Sequence, residues 1–218
     1  MNFPGDKDRH AIVGTTGGGK TRAALWHLSR RNYTEKPWII YNFKGEEDID
    51  GIPYAYELDV THVPLHPGIF VVRPLPHQTD EVEAQMWEVW RRGDMGIYVD
   101  EGYMVGANNR AYRALLTQGR SKRIPMINVS QRPVFMDKFV FTESEYWNIF
   151  ELGSDQDEKK IKEYIRQVTD TTKLPRYHSY YFDKKEKKMV VMEPVPDLDE
   201  VYETFERRLE KLRIREVV

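Results

Sequence analysis

The 218 residues contain no cysteine. That excludes disulfides and thiolate metal sites, and it fits a reducing environment. No apolar run approaches the roughly 18 residues of a membrane-spanning helix. The first residues, Met1-Asn2-Phe3-Pro4-Gly5-Asp6, have neither the basic nor the apolar region of a secretory leader. Internal repeats and low-complexity tracts are absent too. Charge is missing locally rather than globally. Residues 45–72 carry six acids and no Lys or Arg, whereas residues 102–136 carry six bases and no acid. A protein that merely coats nucleic acid is basic throughout, but this chain has a net charge of −2. One basic stretch suits a localised phosphate contact or a subunit interface, with a solvated face as the default for scattered charge. The remainder, 40% hydrophobic and 31% charged, is enough for a core in one domain with elaborations.

What is present is a phosphate loop. Gly14-Thr15-Thr16-Gly17-Gly18-Gly19-Lys20-Thr21 fits G-x-x-x-x-G-K-[ST] at every fixed position. It follows the apolar run Ala11-Ile12-Val13 and precedes a helical segment over residues 22–31, the strand–loop–helix setting the motif requires. Successive backbone N–H groups curl round a triphosphate only where side chains do not crowd them. The helix that follows points its positive end at the phosphates. Residues Gly14, Thr15, Thr16, Gly17, Gly18, Gly19, Lys20, Thr21 and the adjoining Arg22 are therefore expected to bind ATP. Lys20 is expected on the β- and γ-phosphates and Thr21 on Mg²⁺.

Apolar runs over residues 10–13, 37–43, 68–74, 96–101, 125–131 and 146–152 read as strands. Helical spacing falls between them, over 80–92 and 109–119, the latter capped by Asn109. Strands alternating with helices predict an α/β fold with a mainly parallel sheet and a ligand at the carboxyl ends of the strands. From residue 153 the texture changes. Asp155-x-x-Glu158 resembles a capping box opening a helix with Ile161, Tyr164, Ile165 and Val168 inward. A hairpin follows over residues 177–193. A last helix carries an apolar stripe of Leu198, Val201, Tyr202, Phe205, Leu209 and Leu212. This divides the chain into a core, 1–152, and a helix–hairpin–helix extension, 153–218, packed on it.

Phosphoryl transfer needs a metal, a positioned water and compensation for charge on the γ-phosphoryl. Asp100, ending an apolar strand, suits the carboxylate that fixes Mg²⁺ through water, and Glu101 beside it can orient or deprotonate the attacking water. Gln131, at another strand end, can hydrogen-bond the γ-phosphate and that water. Among the arginines Arg120 is favoured as a finger supplied to a neighbouring subunit, with Arg123 second and Arg132 also near the active edge in sequence. His62 and His66 stand four apart, but prolines beside them argue against a helix, so no metal is expected beyond Mg²⁺.

The order of these features resembles the FtsK–HerA superfamily of DNA-pumping ATPases. They are the phosphate loop, Asn42-Phe43-Lys44-Gly45-Glu46, Asp100-Glu101, Gly119-Arg120-Ser121-Lys122 and Ser130-Gln131-Arg132-Pro133. Asn42 departs from the Asp that relatives carry. The resemblance implies a P-loop NTPase of RecA/ASCE-like type, most similar to the compact genome-packaging ATPases of membrane-containing, double-jelly-roll DNA viruses. It further implies a homo-oligomeric ring, a hexamer, with ATP at subunit interfaces and double-stranded DNA through the centre. Capsid or portal-vertex proteins are the expected partners, with no small-molecule substrate besides ATP, at the virion packaging vertex or in the host cytoplasm. Lys122 and Asn108-Asn109-Arg110 are candidates for the pore. Two alternatives from other classes stand beside it: an extrusion ATPase of the zonula-occludens-toxin type, and a nucleotide-gated module without motor activity.

Overall fold

Apolar runs buried on both faces form parallel strands only where helices cover each side. In the computed structural model, which describes residues 2–106, 108–168 and 170–216 and side chains as far as 212, that is the arrangement. The chain runs β1 (Arg9–Val13), α1 (Lys20–Ser29), β2 (Pro37–Asn42), α2 (Glu47–Asp50), β3 (Tyr56–Glu57), β4 (Gly68–Val72), α3 (Thr79–Arg92) and β5 (Gly96–Asp100). It continues through α4 (Arg110–Gln118), β6 (Met126–Ser130), α5 (Lys138–Glu143), β7 (Tyr146–Ile149), α6 (Asp155–Tyr164), β8 (Ser179–Asp183), β9 (Lys188–Met192) and α7 (Leu198–Glu216). The strands make one sheet in the order β3-β4-β2-β5-β6-β1-β7-β8-β9. Strands β3 to β7 in that order are parallel, and of the described strands only β8 runs against them, pairing antiparallel with both β7 and β9.

Alternate residues of each strand face opposite sides, so the sheet divides the core in two. Ala11, Val13, Ile39, Tyr41, Ile97 and Val99 pack on the face covered by α3 to α6, with Met86, Leu115, Phe141 and Ile161. Ile12, Ile40, Tyr98, Ile127 and Val129 pack on the other, with Leu25 and Leu28 of α1 and Val201, Phe205 and Leu209 of α7. Burying each such side chain stabilises by about 1.5–3 kcal/mol. The last helix is also pinned by polar contacts. Tyr202 donates to the Asp48 carbonyl at 2.6 Å, and the Arg208 guanidinium donates to the carbonyls of Ser29 and Arg31.

Two local expectations are corrected. The cap of α6 is Ser154, whose hydroxyl accepts from Asp157 N and donates to the Asp157 carboxylate; Asp155 is already inside the helix. Tyr164 lies exposed, its ring stacked on Phe141 with centroids 4.8 Å apart, although Ile161, Ile165 and Val168 are buried. Helices α2 and α5 occupy stretches too short and too mixed in pattern to declare a helical period.

One buried polar knot joins the first helix to the sheet. The Asn148 side-chain oxygen accepts from His10 Nε2 at 2.8 Å and from His27 Nε2 at 3.0 Å, and its amide donates to Ser179 Oγ at 2.8 Å. Burial drives both imidazoles below their ordinary range, His27 to about 3. The folded protein therefore refuses protons that the unfolded chain accepts, and stability falls as pH drops below about 6.5. Urea unfolding between pH 7 and 4.5 should show the loss, at up to about 1.4 kcal/mol per pH unit for each histidine. His27→Gln should remove about one proton from that slope.

Candidate active site

Four strands end on one edge of the sheet and bring the site together. Register pairs Asn42 with Asp100 across β2 and β5, and Val13 with Ser130 across β1 and β6. The loop leaving β1 is pinned on both sides, Gly14 N donating to Ser130 O at 3.3 Å and Thr15 N to Glu151 O at 2.8 Å. Two glycines are required there for different reasons. A Cβ on Gly14 would lie 2.5 Å from Phe150 Cβ, whereas Gly17 meets nothing but has φ +74°. Lys20, buried to 8% exposure, folds back over the loop and donates to the Thr15 carbonyl at 2.7 Å. Burial pulls its pKa down, against the opposing charges of Glu101, Asp100 and Glu46.

The acidic strand end lies within the field of that lysine. Asp100 is 2% exposed, and burial, with the nearby charges of Glu101 and Glu46, pushes its carboxyl up to about 7. Its Oδ2 is buried, and among the described residues it has no hydrogen-bond partner. An orphaned buried carboxylate oxygen costs free energy, and a hydrated cation would complete it, so the residues present fit Mg²⁺. Glu101 is equally buried and sits in the left-handed region at φ 56°, ψ 66°, a strained geometry of the kind concentrated at functional sites. Its Oε1 accepts from Lys44 Nζ at 2.9 Å; its Oε2 accepts from Gln131 N at 3.2 Å and Ser130 Oγ at 3.4 Å. The Gln131 side-chain oxygen in turn accepts from the Thr16 hydroxyl of the loop.

A cavity of about 260 Å³ opens over the loop, between residues 15–18, Phe150, Glu151 and the segment 174–178. The Tyr177 ring covers Gly19, with the guanidinium carbons of Arg22 and Arg176 at 5.2 and 4.6 Å from its centre. Tyr177, Arg176 and Lys44 are missing from the sequence-based site. Tyr177 carries no local signal, because the topology alone brings the segment before β8 over a loop so far away in the chain. Lys44 had one: it lies two residues beyond Asn42, the strand end that pairs with Asp100.

The expected arginine finger lies elsewhere. Arg120 stands 3.7 Å from Glu145, just before β7, and Arg123 stands 3.4 Å from Asp94, just before β5. Both are on the opposite edge of the sheet from their own phosphate loop, as is Lys122, whose ammonium lies 4.2 Å from the Trp90 ring centre. Arg132 does stay at the active edge, 3.2 Å from buried Asp157. Asn109 spends its side chain capping α4, accepting from Tyr112 N at 2.7 Å. Asn42 does likewise on the β2–α2 turn: its oxygen accepts from Glu46 N and its amide donates to Asp50. Among the described residues no cluster of His, Asp and Glu forms a metal site of its own.

The chain is 40% identical over 216 residues to the DNA packaging ATPase P9 of Enterobacteria phage PRD1, spanning 94% of this chain and 95% of that protein. It belongs to the family of that packaging ATPase. No family model matches the chain. Among solved structures, the genome packaging NTPase B204 of Sulfolobus turreted icosahedral virus 2, in complex with ATP-gammaS, superposes with a TM-score of 0.70. The identity is 15%, and the match covers 90% of this chain and all of that one. EssC (ATPases 2 and 3) of Geobacillus thermodenitrificans gives 0.65 at 10% identity, over 95% of this chain and 45% of the other. At such identities these two likenesses speak for the fold. In this packaging ATPase the sheet edge described above is thus the place where a P-loop fold holds its ligand.

The two loop glycines should fail differently. Gly17→Ala has room and should cost about 1–2 kcal/mol of backbone strain. Gly14→Ala must move the end of β7 and should cost more, about 1–3 kcal/mol from overpacking in addition to lost loop geometry. Urea unfolding ranks the two, and binding of a fluorescent ATP analogue should be lost in Gly14→Ala.

Proposed function

We propose that this packaging ATPase is the motor that drives double-stranded DNA into a preformed viral capsid, spending one ATP per power step. The observation that carries the reading is the meeting of Lys20, Asp100, Glu101 and Gln131 at one sheet edge, in a chain of the packaging family. The loop N–H groups and Lys20 cradle the β- and γ-phosphates, with Tyr177 and Arg176 walling the side where ribose and base emerge. Thr21 and Asp100 would hold Mg²⁺, which neutralises charge on the phosphates. Water attacks the γ-phosphorus as the bond to the β-phosphate oxygen breaks. Glu101 orients that water and takes its proton, and Gln131 fixes the water against the γ-phosphate.

The missing piece is compensation for charge on the transferring phosphoryl group. Arg120, on the far edge from its own loop and 3.7 Å from Glu145 there, would turn to a neighbour's site in a ring, and a finger supplied in this way is worth about 10³–10⁵ in rate. A hexamer with DNA through its centre would put the sites between subunits. Because the motor must pass every sequence, its DNA contacts go to phosphates, and Lys122 and Arg110 remain candidates. Capsid or vertex proteins are the fitting partners, at the virion packaging vertex and in the host cytoplasm.

Long double-stranded DNA should raise ATP turnover, with the effect shrinking steeply as salt increases. Glu101→Gln should bind ATP with turnover lowered about 10²–10⁴-fold; turnover at the wild-type rate would remove Glu101 from the mechanism. Mixing Lys20→Ala subunits with Arg120→Ala subunits should restore activity that neither has alone. Absence of recovery would leave Arg120 as a DNA or within-subunit contact.

A further inference from the structure

The edge of the sheet opposite the phosphate loop carries a turn that is held harder than a connection requires. Residues 119–123, which present Arg120, join α4 to β6, with Ile124 N donating to Gly119 O at 2.9 Å and Arg123 N to Arg120 O at 3.2 Å. The turn from α3 into β5 packs against it backbone to backbone. Asp94 N donates to Lys122 O at 2.8 Å, and a Cβ on Gly93 would lie 2.9 Å from that same oxygen. Asp94 and Arg123 both sit in the left-handed region, at φ 52° and φ 57°. Aspartate tolerates that region, but arginine has no such preference. Strain of this kind persists only where the surroundings leave no alternative, and it concentrates at functional sites.

Lys36, the residue before β2, closes this joint. Its side chain is 3% exposed, and its ammonium donates to the Arg123 carbonyl at 3.1 Å and stands 2.8 Å from the Asp94 carboxylate. Burying an ammonium is costly unless charge and acceptors replace its water, whereas water alone satisfies the carbonyl of an ordinary surface turn. The backbone of the turn is thus fixed from several sides, while the Arg120 side chain, 57% exposed, extends from it. A fixed root lets a long side chain meet a point on another molecule, and a misplacement of about 1 Å costs about 10²-fold in rate. We infer that Lys36 is a positioning residue for Arg120, fixing the turn from which that arginine reaches a neighbouring subunit's phosphate cradle. The inference rests on the reading of Arg120 as a finger supplied between subunits. Because β2 carries its own active-edge residues at its other end, Lys36 serves the neighbour's site and not its own.

That asymmetry is the test, read as ATP turnover of mixed subunits. In the reference mixture of Lys20→Ala with Arg120→Ala, only Arg120→Ala subunits have a working cradle and only Lys20→Ala subunits supply the arginine. Lys36→Met added to the Lys20→Ala subunits should lower kcat about 10–100-fold with KM unchanged. Added to the Arg120→Ala subunits it should change neither. Lys36→Arg, which keeps a charged donor, should recover most of the loss. Calorimetric titration of Lys36→Met alone with ATPγS should match wild type, which reports an intact fold. If Lys36→Met does not fold, Asp94→Asn takes its place in both mixtures. Asparagine accepts the left-handed backbone and drops the charge beside Lys36, so kcat should fall severalfold, again only in the arginine-supplying subunits. The inference is overturned if the arginine-supplying mixture keeps the reference rate. It is equally overturned if both mixtures fall alike, since that is a general loss of folding or assembly. The parent reading fails separately. An inactive reference mixture removes Arg120 as a finger and Lys36 with it, whereas an active reference with an unresponsive donor mixture removes only the role of Lys36.

Discussion

Two carboxylates and two lysines share one dry corner at the end of β5, and the rest of the molecule is arranged to hold them there. Burying charge is expensive unless it is compensated, and here compensation is uneven. Glu101 has three donors, whereas Asp100 has an oxygen without a partner and a carboxyl pushed to about 7. Among the described residues Lys20, for its part, donates only to its own loop carbonyl. An open carboxylate oxygen and a lysine over a phosphate loop form the charge pattern that the proposed metal–triphosphate would complete. The strain of Glu101 in the left-handed region persists because the strand before it and the hydrogen bonds around it leave no alternative.

Legibility in the sequence followed the range of the physics involved. The phosphate loop could be read because its requirements, glycines and a lysine at fixed offsets, are local. Asp100 and Gln131 could be read because a parallel strand buried on both faces announces its own carboxyl end. The cap of α6 could not: Ser154, Asp155 and Asp157 all offer suitable side chains, and only the extended backbone at Ser154, φ −157°, decides between them. Tyr177 could not either, since its place over Gly19 depends on β8 pairing with β7 and on β7 lying beside β1. Lys44 stood within the quoted strand-end motif, but its contact with Glu101 required knowing that β2 is the neighbour of β5.

The segment after residue 152 is built into the sheet as well as laid upon it. Strands β8 and β9 extend the sheet past β7, and α7 packs beside α1 on the second face. In consequence the cavity over the phosphate loop has one wall from the beginning of the chain and one from near its end. The histidine–asparagine knot ties those same parts below the cavity, joining β1, α1, β7 and β8. Floor and roof of the site are therefore joined by more than the loop itself.

The two rims of the sheet are chemically unlike, and the five-residue strands between them span only about 16 Å. One rim presents the phosphate cradle with Arg132 beside it; the other presents Arg120, beside Glu145. Such a molecule has a front and a back. If Arg120 serves a neighbour's cradle as proposed, a two-fold pair that set like rims face to face would leave every cradle without it, whereas copies stacked front to back would satisfy each other in turn and leave one end unmet. Head-to-tail contact of that sort either winds on as a filament or closes on itself, and under the proposed role of Arg120 closure alone would leave no cradle incomplete.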